Sequence, residues 1–109
     1  MKYDAELYRI KAELCKTLAD ATRQMMIAEL RTGEKTVGEI AEAIEITQPA
    51  ASHHLAILRS RGVVQARRDG PNVYYSLVDP KIAEACDMVH QILLRQIASS
   101  RKLADRVMV

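Results

Sequence analysis

Seven polar side chains in the middle of the chain, and two cysteines on either side of them, carry most of the chemistry this sequence offers. Thr47, Gln48, Ser52, His53 and His54 are all hydrogen-bonding and none is acidic. Donors and acceptors crowded at the start of one helix are what reading base edges in a major groove requires. Arg67 and Arg68 follow shortly after, in a place where exposed side chains can reach phosphate. His54 also has a plainer reading, as a packing residue that bonds the backbone, whereas His53 faces outward. Neither histidine has an Asp or Ser partner spaced for catalysis. The chain shows no nucleophile beside a base and no glycine-rich phosphate loop, so no enzyme activity is expected.

Cys15 and Cys86 form no CxxC, which excludes a zinc knuckle or a disulfide framework. Brought together, two thiols could sense oxidants, reactive sulfur species or a thiophilic ion such as arsenite. Kept apart, each is a small buried apolar residue. Cys86, Asp87 and His90 lie on adjacent faces of one helix and could hold a borderline-soft ion, but they lack obvious further ligands. A solvated Asp and His flanking a buried Cys is the competing reading. No metal or other cofactor is expected.

The elements that must position these groups are legible from periodicity. In "TVGEIAEAIEI", Val37, Ile40, Ala41 and Ile44 recur at i, i+3, i+4 and i+7, one apolar helical face. The next helix, "TQPAASHHLAILRSRG", has Thr47 as N-cap, Pro49 in its first turn and Gly62 as its closing signal. Ala51, Leu55 and Leu58 supply its buried stripe. Then "VVQARRDGPNVYYSL" reads as a hairpin: Val64 and Ala66 alternate on one strand, Val73, Tyr75 and Leu77 on the return, and "DGPN" makes the turn. The spacing predicts a helix-turn-helix over about 36–62 and a basic two-stranded wing over about 63–78.

The flanks are helical. Leu7, Ile10, Leu14 and Leu18 form a stripe over 3–18, with Cys15 beside it. A second helix is capped by Asp20 and ended by Gly33, and a last one runs from Asp79-Pro80 to about Val107. That last helix carries Ile82, Cys86, Val89, Leu93 and Ile97, with Ala85, Met88 and Ile92 alongside, a broad stripe for a surface helix. The expected fold is mainly α, in the order ααααββα: one winged helix-turn-helix domain over 1–109. The first and last helices have no evident partner within it. Pairing them across a twofold would make a homodimer with two recognition helices roughly 34–36 Å apart, one turn of DNA. The alternative is that they only cap the monomer.

Composition sets wider bounds. The 109 residues are 49% hydrophobic and 28% charged, with a net charge of +2, so DNA affinity must come from where the basic groups sit. No apolar run approaches a membrane span, and residues 1–14 are too charged for a signal peptide. Two unpaired cysteines agree with a reducing cytoplasm.

The segments "ELCKTLADATRQMMIAEL", "TVGEIAEAIEITQPAASHHLAILRSRGVV" and "ARRDGPNVYYSL" together resemble the ArsR/SmtB family of bacterial winged-helix repressors. The likeness runs from about Glu13 to Asp79, with the flanking helices also fitting. It implies a homodimer that binds double-stranded operator DNA and lets go when a metal ion or reactive small molecule is sensed. By position it makes Thr47, Gln48, Ser52, His53 and His54 the recognition-helix candidates, and Arg67 and Arg68 the wing candidates. Ala21 stands where the family often has proline, at a tolerant first-turn position. The sensor positions depart further. "GEKTVGEIAEAI" lacks the cysteines of many metal sensors, and Lys81 replaces the histidine expected near the start of the last helix. The expected function is a sequence-specific DNA-binding regulator, a repressor released by a small inducer. The alternatives are a regulator that senses nothing, or a dimeric interaction module.

Overall fold

A computed structural model describes residues 2–99 and 106. Its elements run α1 (Ala5–Leu18), α2 (Ala21–Leu30), β1 (Lys35–Thr36), α3 (Val37–Ala43), α4 (Gln48–Ser60), β2 (Val64–Asp69), β3 (Asn72–Leu77) and α5 (Lys81–Ala98). The first four helices each begin on a side chain that accepts from a backbone N–H of the first turn: Asp4 from Leu7, Asp20 from Arg23, Thr36 from Glu39 and Thr47 from Ala50. At α3 the cap is reciprocal, because the Glu39 carboxylate accepts from the Thr36 N–H at 2.9 Å. That bond holds the Glu39 carboxyl below its ordinary range.

The helix-turn-helix is shaped by how its helices stop. After α3, Glu45 takes a left-handed backbone (φ 58°), and the N–H groups of Glu45 and Ile46 return to the carbonyls of Glu42 and Ala41. After α4, Gly62 (φ 75°) and Val63 do the same to Arg59 and Leu58. Both are Schellman closures, and each turns an apolar residue, Ile46 or Val63, back onto the core. Only the second has the glycine that a left-handed residue favours.

Met26, Ile27 and Leu30 of α2 meet Ile40 and Ala41 of α3, Ala51, Leu55 and Leu58 of α4, and Val63, Val64 and Ala83 in one buried cluster. The sheet is antiparallel in the order β1-β3-β2, with Val64 opposite Leu77 and Arg67 opposite Tyr74. Its third strand, β1, corrects the expected order to ααβααββα. Lys35 and Thr36 pair with Tyr75 and Tyr74, so the wing is tied to the entrance of α3.

Three boundaries move. α1 starts at Ala5, not Tyr3, and α2 ends at Leu30, with Gly33 in the loop beyond. α5 starts one residue later than expected: Pro80 occupies the N-cap position, and Asp79 accepts from the Lys81 N–H at 3.0 Å. Apart from Arg106, the expected continuation of α5 to Val107 lies outside the described residues.

Both terminal helices rest on α2 and leave their apolar stripes open. Leu7 and Ile10 of α1 are 57% and 59% exposed; Met88 and Val89 of α5 are 66% and 65% exposed. The Cα radius of gyration is 16.1 Å, where a compact chain of about 100 residues has about 13 Å.

Candidate nucleic-acid interface

Burying Ala51, Leu55 and Leu58 turns the opposite side of α4 outward. Gln48, Ser52, Ala56 and Arg59 follow one another along that side, with His53 next to them, all exposed. No residue of α4 is acidic. The Gln48 side chain lies against the first turn of α3: its amide nitrogen is 3.1 Å from where a Cβ on residue 38 would stand, so Gly38 makes room for it. Thr47 is exposed at the helix entrance with its hydroxyl oxygen accepting from the Ala50 N–H. Arg59 was not among the expected contacts. It stands seven residues after Ser52, two helical turns along the same face, and that spacing is the signal that reveals it.

His54 is placed differently from its neighbour. Its ring is half-buried, with Nδ1 3.3 Å from an Nη of Arg23 in α2, so it stands at the edge of the exposed face and is not aimed outward like His53. This matches the packing alternative, with an arginine side chain in place of the backbone.

The two wing arginines also part company. Strand alternation sets Arg67 beside Tyr74, on the face away from Val64, Ala66, Tyr75 and Leu77. Its guanidinium lies 4.9 Å from the Tyr74 ring centroid and donates to both carboxylate oxygens of Glu34, at 2.6 and 3.2 Å. That pairing lowers the Glu34 pKa and raises that of Arg67. Both expected wing arginines are exposed, and Arg67 is held by Glu34. Arg68 is exposed and has no ion-pair partner among the described residues.

The candidate sensor thiols sit one on each terminal helix. Cys15 is exposed on α1 and Cys86 half-buried on α5, both as free thiols. Burial pushes the Cys86 thiol upward, against the pull of the nearby Arg31 charge. This favours the thiol over the reactive thiolate. α1 and α5 approach each other where Leu14, Lys81 and Ile82 help line an open hollow of about 310 Å³. The Cys86–Asp87–His90 trio does not form: Asp87 is ion-paired with Arg31, and His90 is exposed. Among the described residues, no three His, Cys, Asp or Glu side chains come together to hold an ion.

A two-helix unit with a polar outward face, closed by a hairpin carrying a free arginine, is a winged helix-turn-helix, and comparison with known proteins settles its family. The model of the bacterial regulatory proteins of the arsR family matches residues 20–66. An uncharacterised HTH-type transcriptional regulator of Mycobacterium tuberculosis is 38% identical over 104 residues, which span 94% of this chain and 86% of that one. The chain belongs to the arsR family. A biofilm growth-associated repressor of Xylella fastidiosa is 36% identical over 85 residues, 78% of this chain and 75% of the repressor. The solution structure of a homodimeric winged helix-turn-helix DNA-binding domain from Mycobacterium bovis superposes with a TM-score of 0.77 at 30% identity, covering 89% of this chain and 90% of that one. This member of the arsR family is thus a DNA-binding transcriptional regulator, and its match to the family model contains α2, α3, α4 and the start of the wing. No helix among the described residues is long and apolar enough to cross a membrane.

Proposed function

We propose that the protein is a homodimeric repressor, joined through α1 and α5, that occupies operator DNA with α4 in the major groove and the wing on flanking phosphate. The exposed face of α4 carries the reading: Gln48, Ser52 and His53 offer hydrogen bonds, Thr47 sits at the helix entrance, and no carboxylate on the helix opposes the DNA. Arg59 and Arg68 are the phosphate contacts, and Arg67 joins them only by leaving Glu34. His54 supports the helix from the side. The single domain divides into the helix-turn-helix, the wing, and two dimerisation helices whose open stripes are too apolar to be left in water. The protein acts in the cytoplasm, with no cofactor or catalytic step needed for binding.

The inducer reading rests on Cys15. It is accessible and lies beside the α1 stripe, so its modification by an oxidant, a reactive sulfur species or a thiophilic ion alters the face that α5 of a partner would meet. Cys86 is half-buried and its thiol is pushed upward, so it is not the first group an oxidant meets.

Both parts are tested with DNA duplexes selected by the protein from a random-sequence pool. Tight binding of a two-half-site duplex by a dimer, lost on oxidation and restored by reductant, is the expected outcome. A Cys15→Ser variant should bind and ignore oxidant. Equal affinity for selected and random duplexes would overturn the repressor reading, and an undiminished oxidant response in Cys15→Ser would overturn the thiol switch.

A further inference from the structure

α1 ends where Thr17 and Leu18 leave backbone carbonyls without helical partners. Both are capped by side chains from the next helix: Arg23 Nε donates to the Thr17 carbonyl at 2.7 Å, and Gln24 donates to that of Leu18 at 2.7 Å. Gln24 stops there. Arg23 continues, placing Nη1 3.3 Å from Nδ1 of His54, thirty-one residues away on α4. Its own backbone N–H donates to the Asp20 carboxylate at 3.0 Å, and that bond holds the Asp20 carboxyl below its ordinary value. One guanidinium thus touches the end of α1 and the recognition helix.

We infer that Arg23 is a positioning residue for DNA reading, one that sets the angle of α4 against the carboxyl end of α1 through its bond to His54. The core alone does not fix that angle. Ala51, Leu55 and Leu58 hold α4 down, but apolar contacts are non-directional, and a helix can roll on them. A directional bond at the flank of the buried stripe resists that roll. His53, Ser52 and Gln48, on the far side, are the groups whose aim would change. The bond also runs toward α1, whose apolar stripe is open, so displacement of α1 is transmitted to α4 through a hydrogen bond and not only through packing.

The chemistry fixes a proton. Arginine has only N–H donors, so in this bond Nδ1 of His54 accepts and Nε2 is the nitrogen that carries hydrogen. This signature belongs to the clamp and would not arise from a histidine that merely fills space.

The inference rests on α4 being the recognition helix, and the test separates the two. In ¹⁵N spectra of the full chain at neutral pH, His54 is expected to show an unprotonated, accepting Nδ1 and a protonated Nε2. In Arg23→Met those two shifts should move toward tautomer averaging. On selected duplexes, Arg23→Met and His54→Leu should each lose about tenfold in affinity, the double variant should be no worse than either single one, and random DNA should be bound nearly as before. His54→Asn, whose Oδ1 can stand in for Nδ1, should recover most of the loss. An Nδ1–H tautomer in the unaltered protein, additive losses, or no rescue by Asn would overturn the clamp. If the unaltered protein fails to prefer any selected duplex, the DNA-reading assignment falls while the spectra still decide the bond.

Discussion

The helix-turn-helix and the terminal helices carry apolar stripes of the same kind, and the chain treats them oppositely. Leu55 and Leu58 of α4 are 0% exposed, covered by α2, α3 and the base of the wing, whereas Met88 and Val89 of α5 stand two-thirds in water. The difference shows what a 3.6-residue period means. It says that a helix has an apolar face, and it leaves open whether that face is closed by the same chain or by another. The closed half holds the groups proposed to read DNA, and the open half carries the sequence-predicted dimer face and both thiols.

The sharpest way to break this contrast is to charge the open stripe and to empty the closed one. Val89→Glu should leave a folded monomer with unchanged helix content. It should lose about 10²–10⁴-fold in affinity for a two-half-site duplex, because the second contact is no longer tethered to the first. Leu55→Ala should instead lower stability by about 2–5 kcal/mol and leave the surviving folded population dimeric. Sedimentation and denaturant titration distinguish the two. If Val89→Glu unfolds the chain, α5 is part of the monomer core and the contrast collapses.

The closed half was nearly legible in the sequence. Thr47, Gly62 and the 51–55–58 stripe act locally, within a few residues of one another, and the helix, its cap and its stop follow from them. What escaped is non-local or too short to have a period. β1 is two residues long and exists because Lys35 and Thr36 pair with Tyr75 and Tyr74, some forty residues later. The inward lean of His54 depends on Arg23, the quenching of Arg67 on Glu34, and the loss of Asp87 as a ligand on Arg31. Each is a partner choice that only the fold makes. Arg59 was the reverse case, within reach of simple helical spacing from Ser52.

A smaller effect sharpens the contrast inside the wing. Arg68→Ala should reduce the slope of log affinity against log salt by about one counterion per protomer, on selected and random duplexes alike. Arg67→Ala should change it less, because Glu34 already neutralises that charge. Glu34→Gln should act in the opposite direction, freeing Arg67 to raise affinity for random DNA and steepen the slope. Fluorescence anisotropy across a salt series reads all three. Identical slopes for the two alanine variants would mean that DNA displaces Glu34 at no cost.

The smallest expected effect lies at the two helix stops, where the closed half can be tuned without touching the open one. α3 and α4 end in the same motif, but Glu45 occupies the left-handed position after α3 while Gly62 occupies it after α4. A side chain in that conformation costs about 1–2 kcal/mol, and glycine's extra freedom in the unfolded chain recovers part of any gain from removing it. Glu45→Gly should therefore stabilise the domain by about 0.5–1 kcal/mol, and Gly62→Ala should destabilise it by a comparable or larger amount. Measured by urea titration in the Val89→Glu background, these shifts report the helix-turn-helix alone; measured by sedimentation in the unaltered background, neither should change the dimer's dissociation constant. If Glu45→Gly weakened the dimer, the stop of α3 and the open face of α1 and α5 would be coupled, and the two halves could no longer be treated as separately closed and open.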